Sequence, residues 1–394
     1  MSKVNDEFTE EKEKKGISSN SKWGIAFILE LIIIAVMSLF IVKNYVHDKY
    51  GILNVENIDE KDLGINEGVK IEGYTNIALF GMDSRDGSLG EGNRSDSIMI
   101  ASINNKTKDV KIVSVFRDTT TELQNEDKDI IKVNAAYAYG GPKMAVQTLN
   151  ANFDLNISEY VSINWEGMIR AVDQLGGVDI HIEEEEIEYV NEYIKDIMVN
   201  TGIASDGVYN TGDQTLNGVQ ATAYCRIRYT GMGDITRTER QREVITQMLD
   251  KLKKSDFKTI DAIIDEVFPY ISTSITEKEM TEFAKGIMSY DLKDTVGFPF
   301  RYEFYDSESL GSCIAAQDLS DNVKALHRYL FGNDSYSVSE NQRRINDSLS
   351  SFNEAYSTGE KILLPGEEDK SSTSKETEAD DETEEEDDDE TEEE

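Results

Sequence analysis

Charged residues of both signs flank three apolar stretches between positions 76 and 118 of the 394-residue chain. Asp83 follows NIALFGM, Arg94 and Asp96 precede SIMIASI, and Arg117 and Asp118 follow VKIVSVF. Carboxylates gathered in one place repel one another unless a hard cation such as Mg2+ or Mn2+ lies between them and shares substrate phosphate oxygens. Arginine forks nearby can hold such oxygens bidentately. The pattern indicates a phosphate and metal site; the alternative is a set of surface ion pairs around a loop.

A second concentration of charge is the segment CRIRYTGMGDITRTERQR at 225–242. It contains five arginines against two acidic residues, in a chain whose formal net charge is −38. Arg226 and Arg228 are two apart in a stretch that we predict to be extended, so their side chains face the same side. Such a local excess of arginine in an acidic chain favours an anion-binding site.

The helix predicted over 236–252 aims two polar side chains toward the core. Arg237 and Gln241 lie on the stripe that its apolar residues continue, namely Val244, Met248 and Leu252. An unpaired buried charge is costly, and an anion bound at the amino terminus of the helix would offset that cost. The alternative is that Arg237 pairs internally with Asp234 or Glu239.

Three predicted strands must position the first set of charges. They are Asn76–Phe80, Ser97–Ile103 and Val110–Val115, and the last two are joined by the turn-like NNKTKD. If consecutive strands pair antiparallel, the end of the first, the start of the second and the end of the third lie together. The carboxylates and guanidinium groups then converge at one end of a sheet.

Further helices and strands complete the predicted architecture. The apolar patterns and Gly or Pro punctuation predict helices at 142–152, 165–175, 214–225, 236–252, 258–267, 277–289 and 320–331, and strands at 160–163, 178–182 and 295–300. Helices mixed with strands around one sheet predict an α/β fold, an α/β/α-type sandwich with a central mixed sheet.

The composition excludes several classes of protein. Residues 367–394 hold eighteen acidic residues and two lysines, and so acidic a chain repels nucleic acid. The two cysteines, Cys225 and Cys313, are too few for a disulfide-rich scaffold or a cysteine zinc cluster. We expect two isolated thiols; pairing in an oxidising compartment is the alternative.

One apolar run, GIAFILELIIIAVMSLFIV at 24–42, has the length of a membrane span. Lysines concentrate before it, which predicts a cytoplasmic amino terminus and an extracytoplasmic remainder, in a single-pass protein of the cell membrane. The predicted divisions are a cytoplasmic tail (1–22), an anchor (23–43), a stalk (44–72), a catalytic domain (73–333) and a disordered acidic tail (334–394).

At these residues the chain resembles the LytR-CpsA-Psr family of cell-envelope phosphotransferases. The resemblance rests on GMDSR, RSDSIMI, VSVFRDT, KVNAAYAYGG, INWEGMIRAVDQLGGVDI, LNGVQATAYCRIR and GDITRTERQR, in that order over roughly 74–250. It implies an external α/β domain that transfers an anionic glycopolymer, such as teichoic acid or capsule, from a polyprenyl-pyrophosphate carrier to peptidoglycan with magnesium.

The resemblance also implies roles at matching positions. Asp83 and Asp96 would be the magnesium ligands. The pyrophosphate would be held by Arg94, Arg117, Arg226, Arg228, Arg237 and Gln241. Arg85, Asp118, Asp234 and Arg240 match motif positions too, with less defined roles. The sequence departs from the family at Phe116, where proline is usual, at Ala135, where histidine is frequent, and in a shorter loop after Arg228.

The expected reaction is phosphoryl transfer with charge neutralisation by metal and arginine. A peptidoglycan hydroxyl attacks the phosphorus attached to the glycan, and polyprenyl phosphate leaves. Arg117 and Arg237 would be catalytic, and either Asp118 or Asp234 would orient or deprotonate the acceptor. The alternatives are a lipid-pyrophosphate hydrolase, a binding module without chemistry, and an envelope-linked regulator.

Overall fold

The computed structural model describes residues 44–83, 87–286 and 289–354. The strands are β1 (Asn54–Val55), β2 (Tyr74–Met82), β3 (Ser95–Asn104), β4 (Asp109–Val115), β5 (Thr120–Glu122), β6 (Ile130–Lys132), β7 (Glu159–Asn164), β8 (Val178–Ile182), β9 (Gly212–Leu216), β10 (Ile271–Thr273), β11 (Asp291–Phe298), β12 (Tyr302–Ser307) and β13 (Gly311–Ala316). The helices are α1 (44–50), α2 (Ala135–Phe153), α3 (Trp165–Gln174), α4 (Glu186–Thr201), α5 (Gly218–Tyr224), α6 (Asp234–Lys254), α7 (Phe257–Val267), α8 (Glu277–Gly286), α9 (Leu319–Phe331) and α10 (Glu340–Glu354).

A seven-stranded mixed sheet forms the centre, in the order β1-β10-β7-β2-β3-β4-β11. The β2–β3 and β3–β4 pairs are antiparallel, as predicted, while β2 pairs with β7 and β4 with β11 in parallel. In this register Met82 lies opposite Ser95. The end of β2 and the start of β3 therefore lie side by side at one edge of the sheet.

Helices cover both faces of this sheet because apolar residues occupy both sides of its central strands. Phe80 and Ile100 face a core that includes residues of α2, α9 and α10. Leu79 and Met99 face the other way and pack with Ile245 and Leu249 of α6. The mixed α/β fold with a central mixed sheet is therefore confirmed.

The structure differs from the prediction between 183 and 229. Helix α4 was not predicted, and the single helix predicted at 214–225 is instead β9 followed by α5. Asn217 interrupts the helix: its side chain accepts from Gln220 N, and the Gln220 side chain accepts from Asn217 N. The extended stretch predicted at 225–229 forms no strand, since its first amides bond back to the last turn of α5.

The predicted stalk is largely folded onto the domain, which corrects the boundary at 72. Lys49 of α1 lies 2.7 Å from Asp261 of α7, and β1 pairs with β10. Asn66 is buried, and its amide donates to Asp154 at 2.6 Å. The polar residues that suggested a free linker find partners within the domain.

The tail predicted to be disordered from 334 also begins too early, because residues 340–354 form α10. Ile345 and Leu349, one turn apart, are buried in the main core. The Arg344 guanidinium holds the buried Glu122 carboxylate bidentately at 2.7 and 2.6 Å. The polar composition of this segment led to the prediction of disorder, because only one short apolar stripe indicates the helix.

Asp154 joins these two corrected segments. It is fully buried and takes a left-handed backbone conformation with φ 53° at the end of α2. Its carboxylate accepts from Asn66 at 2.6 Å and from Ser339 N at 2.7 Å, while Asn341 donates to Asn66 at 2.7 Å. One buried carboxylate therefore fastens residues from near both ends of the described chain.

Several predictions concern residues beyond this description. The predicted cytoplasmic tail, the anchor at 23–43 and the acidic residues after 354 lie outside the described residues. Within the described part, no helix is long and apolar enough to cross a lipid bilayer. Cys225 and Cys313 are both free thiols, as expected.

Candidate functional site

Three arginines surround Asp96 at the start of β3. Arg117 Nη1 donates to Asp96 Oδ1 at 2.6 Å, and Arg228 Nη2 donates to Oδ2 at 3.0 Å. Arg237 Nη2 donates to the Asp96 backbone carbonyl at 3.1 Å. Burial opposes ionisation of Asp96, but Arg117, Arg237 and Arg228 outweigh it and lower the pKa of this carboxyl. Asp96 is therefore a carboxylate held by guanidinium groups.

Asp83 and Arg226 complete the group on the neighbouring strand end. Arg226 Nη2 lies 3.5 Å from Asp83 Oδ2. Burial raises the pKa of Asp83, and the negative charge of Asp96 adds to that rise against the pull of Arg226. We call the group formed by Asp83, Asp96, Arg117, Arg226, Arg228 and Arg237 the arginine cluster.

The donor set at the cluster fits a divalent cation that takes few protein ligands. Burial and the negative charge of Asp96 both oppose ionisation of Asp83, and a dication between the two carboxylates would offset both effects. Among residues 44–83, 87–286 and 289–354, no three His, Cys, Asp or Glu side chains form a metal-binding group. Mg2+ suits such a pair, because it is commonly bound by one or two carboxylates with phosphate and water.

A second layer of acidic residues lies behind Arg117. Its Nε is 3.4 Å from Asp118 and 3.3 Å from Asp234. Burial works against the charge of Arg117, but Asp96, Asp118 and Asp234 together raise its pKa. Lys132, which the sequence did not single out, lies 3.2 Å from Asp118. Arg117 is thus fixed from several sides and keeps its charge.

Arg237 is 2% exposed in the first turns of α6, and its burial agrees with its predicted position on the apolar stripe of that helix. The internal pairing kept as an alternative is also present, because Arg237 Nη2 lies 2.6 Å from Asp234 Oδ1. Burial lowers the pKa of Arg237 to about 10, with Arg117 and Arg228 adding to the effect against Asp234. Burial likewise raises the pKa of Asp234, against the attraction of Arg237 and Arg117. An anionic ligand close to Arg237 would offset the mutual repulsion of Arg237, Arg117 and Arg228.

An apolar cavity of about 270 Å³ opens beside the cluster, between the sheet and helices α3, α5 and α6. Its apolar walls include Leu79, Met99, Val161, Ile163, Met168 and Ile245. Its polar end is formed by Asp83, Asp96, Arg226, Arg237 and Gln241. Gln241, predicted to hold the pyrophosphate, lines the cavity and donates to the Cys225 carbonyl at 3.4 Å. The cavity and the cluster form one continuous site.

Three arginines at motif positions are not in the arginine cluster: Arg94, predicted to hold the pyrophosphate, and Arg85 and Arg240, whose roles were less defined. Arg240 is 5% exposed and is committed elsewhere, with Nε donating to Glu186 at 2.8 Å and Nη1 donating to the Ile227 carbonyl at 3.2 Å. Arg240 therefore holds the loop that follows α5, which explains why an arginine occupies this motif position. Arg94 is exposed and forms no ion pair with any residue that the structure describes. Arg85 lies outside the described residues.

Residues around Arg226 were missed by the sequence interpretation. Its guanidinium lies over the rings of Trp165, at 4.0 Å from the centroid, and Tyr193, at 4.8 Å. Asp196 accepts from Arg226 Nη1 at 2.7 Å. Tyr193 and Asp196 belong to α4, whose buried residues at spacings of four and three (Val190, Ile194 and Ile197) were the available signal.

Two curated proteins are similar to this chain over more than half of its length. It is 30% identical over 256 residues to the polyisoprenyl-teichoic acid–peptidoglycan teichoic acid transferase TagU of Oceanobacillus iheyensis, covering 62% of this chain and 73% of the relative. It is 33% identical over 262 residues to Biofilm regulatory protein A of Streptococcus mutans, covering 59% of this chain and 60% of the relative.

A solved structure shares the fold. The crystal structure of a Streptococcus agalactiae protein, gbs0355, is 26% identical and superposes with a TM-score of 0.55, covering 68% of this chain and 90% of that one. The family model of the LytR_cpsA_psr family matches residues 45–303, which include every residue of the arginine cluster and the whole cavity wall. The chain therefore belongs to the LytR_cpsA_psr family.

Proposed function

We propose that this protein transfers an anionic glycopolymer from a polyprenyl-pyrophosphate carrier to peptidoglycan. The observation that carries the proposal is the junction of an arginine cluster with an apolar cavity. A ligand that matches both parts has an anionic head and a long apolar chain. The relative from Oceanobacillus iheyensis, named as a teichoic acid transferase that uses a polyisoprenyl-linked donor, supports the same reading.

The arginines supply most of the proposed binding energy for the diphosphate. Arg117 and Arg228 point at Asp96 with donor groups that also match phosphate oxygens. We propose that the diphosphate takes over these donors and releases Asp96 from part of its pairing. Arg228 Nε and Arg237 Nε have no hydrogen-bond partner among the described residues, and they remain available to such a ligand.

A divalent cation, Mg2+ or Mn2+, is the proposed cofactor, held by Asp83 and Asp96. It would neutralise phosphate charge in the transition state. Asp96 becomes a more effective ligand as its arginines turn to the diphosphate. This coupling makes binding of the donor and of the cation mutually favourable.

The proposed reaction forms one P–O bond and breaks another. A peptidoglycan hydroxyl attacks the glycan-bearing phosphorus, the bond to the bridging oxygen breaks, and polyprenyl phosphate leaves with its electron pair. Arg117 and Arg237 stabilise the developing charge. Asp118 and Asp234 both contact the Arg117 guanidinium, so each can orient it, and either can accept the hydroxyl proton.

We further propose that the chain is a single-pass membrane protein whose catalytic domain faces outward. The apolar run at 24–42 and the lysines before it support this orientation. The first described residues, 44–50, then follow directly on the membrane segment. Protease digestion of intact cells should remove the domain, whereas survival of the whole domain would place it inside.

The decisive experiment combines lipid identification with turnover. Mass analysis of the purified full-length protein should detect a polyprenyl phosphate or pyrophosphate. Addition of Mg2+, lipid-linked polymer and peptidoglycan fragments should yield polymer joined to the fragments together with free polyprenyl phosphate. Release of polyprenyl phosphate without a glycan acceptor would identify a hydrolase, and binding without release would identify a carrier protein or regulator; either result overturns the transfer reaction.

A further inference from the structure

A row of aromatic side chains leads away from the arginine cluster along α4. It begins where Arg226 lies between Trp165 and Tyr193. One turn along the helix, the rings of Tyr189 and Tyr229 lie 5.4 Å apart at an interplanar angle of 32°. We call Trp165, Tyr189, Tyr193 and Tyr229 the aromatic strip. It joins the phosphate site to the protein surface.

Ion pairs fix the strip in place. Tyr189 and Tyr193 are four residues apart on α4 and therefore share one side of that helix. At one end of this side Glu186 accepts from Arg240, and at the other Asp196 accepts from Arg226. A face held at both ends loses little conformational entropy when a ligand binds to it.

The strip is open where it leaves the cluster. Tyr229 is 70% exposed, although its ring packs at a tilt against Tyr189. The Tyr193 hydroxyl lies close enough to Arg228, Arg226 and Arg237 to feel their charges, although burial outweighs them and raises its pKa. Trp165 also lines the cavity, whereas the three tyrosines do not. The three tyrosines of the strip thus lie outside the cavity lining, and Trp165 connects them to the cavity beside the arginine cluster.

We propose that the aromatic strip is a sugar subsite, which binds the first sugar rings attached to the diphosphate. The inference rests on the proposed function, because it assigns the glycan end of the same donor. A pyranose ring has an apolar face of C–H groups, which the negative face of an aromatic ring attracts, and a hydroxyl edge that tyrosine hydroxyls can bond. With the lipid in the cavity and the diphosphate at the arginines, the glycan must leave across a remaining surface, and the strip is a rigid one.

The test measures binding of two lipids to the full-length protein in detergent. One is polyprenyl pyrophosphate without sugar, and the other carries a disaccharide on the same diphosphate. Tyr229→Ala should weaken binding of the sugar-bearing lipid about five- to tenfold, as expected for loss of one stacking contact. Binding of the sugar-free lipid should stay unchanged, and Tyr229→Phe should restore most of the loss.

Tyr209→Ala is the matched control, since Tyr209 is a 78% exposed tyrosine outside the strip. An unchanged unfolding midpoint confirms that each variant is folded. Equal binding of the sugar-bearing lipid by wild type and Tyr229→Ala would overturn the subsite alone. Equal weakening for both lipids would instead give Tyr229 a role in supporting the arginines and overturn the sugar contact. If wild type bound neither lipid, the proposed function itself would fail and the subsite with it.

Discussion

Arg117 Nη1 lies 2.6 Å from Asp96 Oδ1, so a proposed phosphate ligand and a proposed metal ligand neutralise each other before any substrate is present. The pair keeps both groups charged, because the pKa of Asp96 is lowered and that of Arg117 raised. Substrate and cation together can replace this contact by an equivalent set. The free site is therefore preorganised without being left with unpaired charge.

The first prediction concerns Arg117 itself. Arg117→Ala should reduce polymer transfer at least ~100-fold, because removal of one preorganised donor commonly has an effect of that size. Arg117→Lys should recover only a small part, since lysine cannot bond bidentately. Initial rates with purified protein measure the effect. Arg170→Ala, which removes an exposed arginine paired with Glu266, is the control and should leave the rate unchanged. Full activity of Arg117→Ala would contradict the assignment.

A second prediction addresses the cation. Asp83→Asn keeps the shape of the side chain and removes the charge that a dication requires. The Mg2+ concentration for half-maximal transfer should rise roughly tenfold or more, as is typical for loss of a metal-site group. A Mg2+ titration of initial rates measures it. Wild-type activity that is indifferent to chelation would refute the metal proposal.

The cavity gives a third prediction. Ile245→Trp places a larger side chain on its α6 wall and should exclude a polyprenyl chain. The amount of co-purifying lipid should fall several-fold, while the unfolding midpoint shows whether the fold tolerates the change. Leu249→Trp, in the same apolar group but outside the cavity wall, is the matched variant. Equal lipid content in wild type and both variants would show that the chain binds elsewhere.

His327 predicts a dependence of stability on pH. It is 1% exposed, stacks on Tyr336 at 3.5 Å, and burial lowers its pKa to about 4. The unfolded chain, whose histidine has a pKa near 6.5, therefore binds the proton more readily than the folded one. The stabilisation is complete above about pH 6.5 and is lost as the pH falls toward about 4.

Denaturant titrations between pH 7 and pH 4 measure this loss, which should be on the order of 2 kcal/mol. His327→Phe should flatten the dependence over that window. An unchanged slope in the variant would assign the acid sensitivity to other groups.

The last prediction concerns α10. Arg344→Ala leaves the buried Glu122 carboxylate without its bidentate partner, and we expect a loss of roughly 2–3 kcal/mol in unfolding free energy. Arg343→Ala is the neighbouring exposed control and should change stability by less than about 0.5 kcal/mol. Removal of residues 340–394 should destabilise the domain more than either, whereas a chain ending at 354 should keep its stability. Equal stability of both truncations would contradict a structural role for α10.

The convergence of Asp83, Asp96 and Arg117 could be predicted because their positions follow from local rules, whereas the extended stretch predicted around Arg226 and Arg228 was wrong. One apolar stretch ends at Met82 and another at Val115, and a short turn joins β3 to β4. These features favour antiparallel pairing of the strands, which brings the flanking charges together. The stripe on α6 likewise gave the burial of Arg237. These arguments need no knowledge of distant contacts.

Arg240 shows where such rules end. It lies three residues from Arg237 on the same helix, but its guanidinium is held by Glu186, 54 residues away in sequence, and by the Ile227 carbonyl and Thr230. Helix α4 was missed because four consecutive glutamates at its start obscure the apolar stripe that follows. The first error comes from a tertiary partner that the local pattern does not contain, and the second from charged residues that precede a short apolar stripe.

The buried Asp154 has a consequence for how the protein is made. Its carboxylate can accept from Asn66 early, but it gains the Ser339 donors, and Asn66 gains Asn341, only when the chain has been made to that point. During synthesis, the contacts that hold the segment around Asn66 are therefore complete only when nearly the whole domain has emerged. We therefore expect a chain that ends before Ser339 to hold the segment around Asn66 less firmly than the full-length domain does.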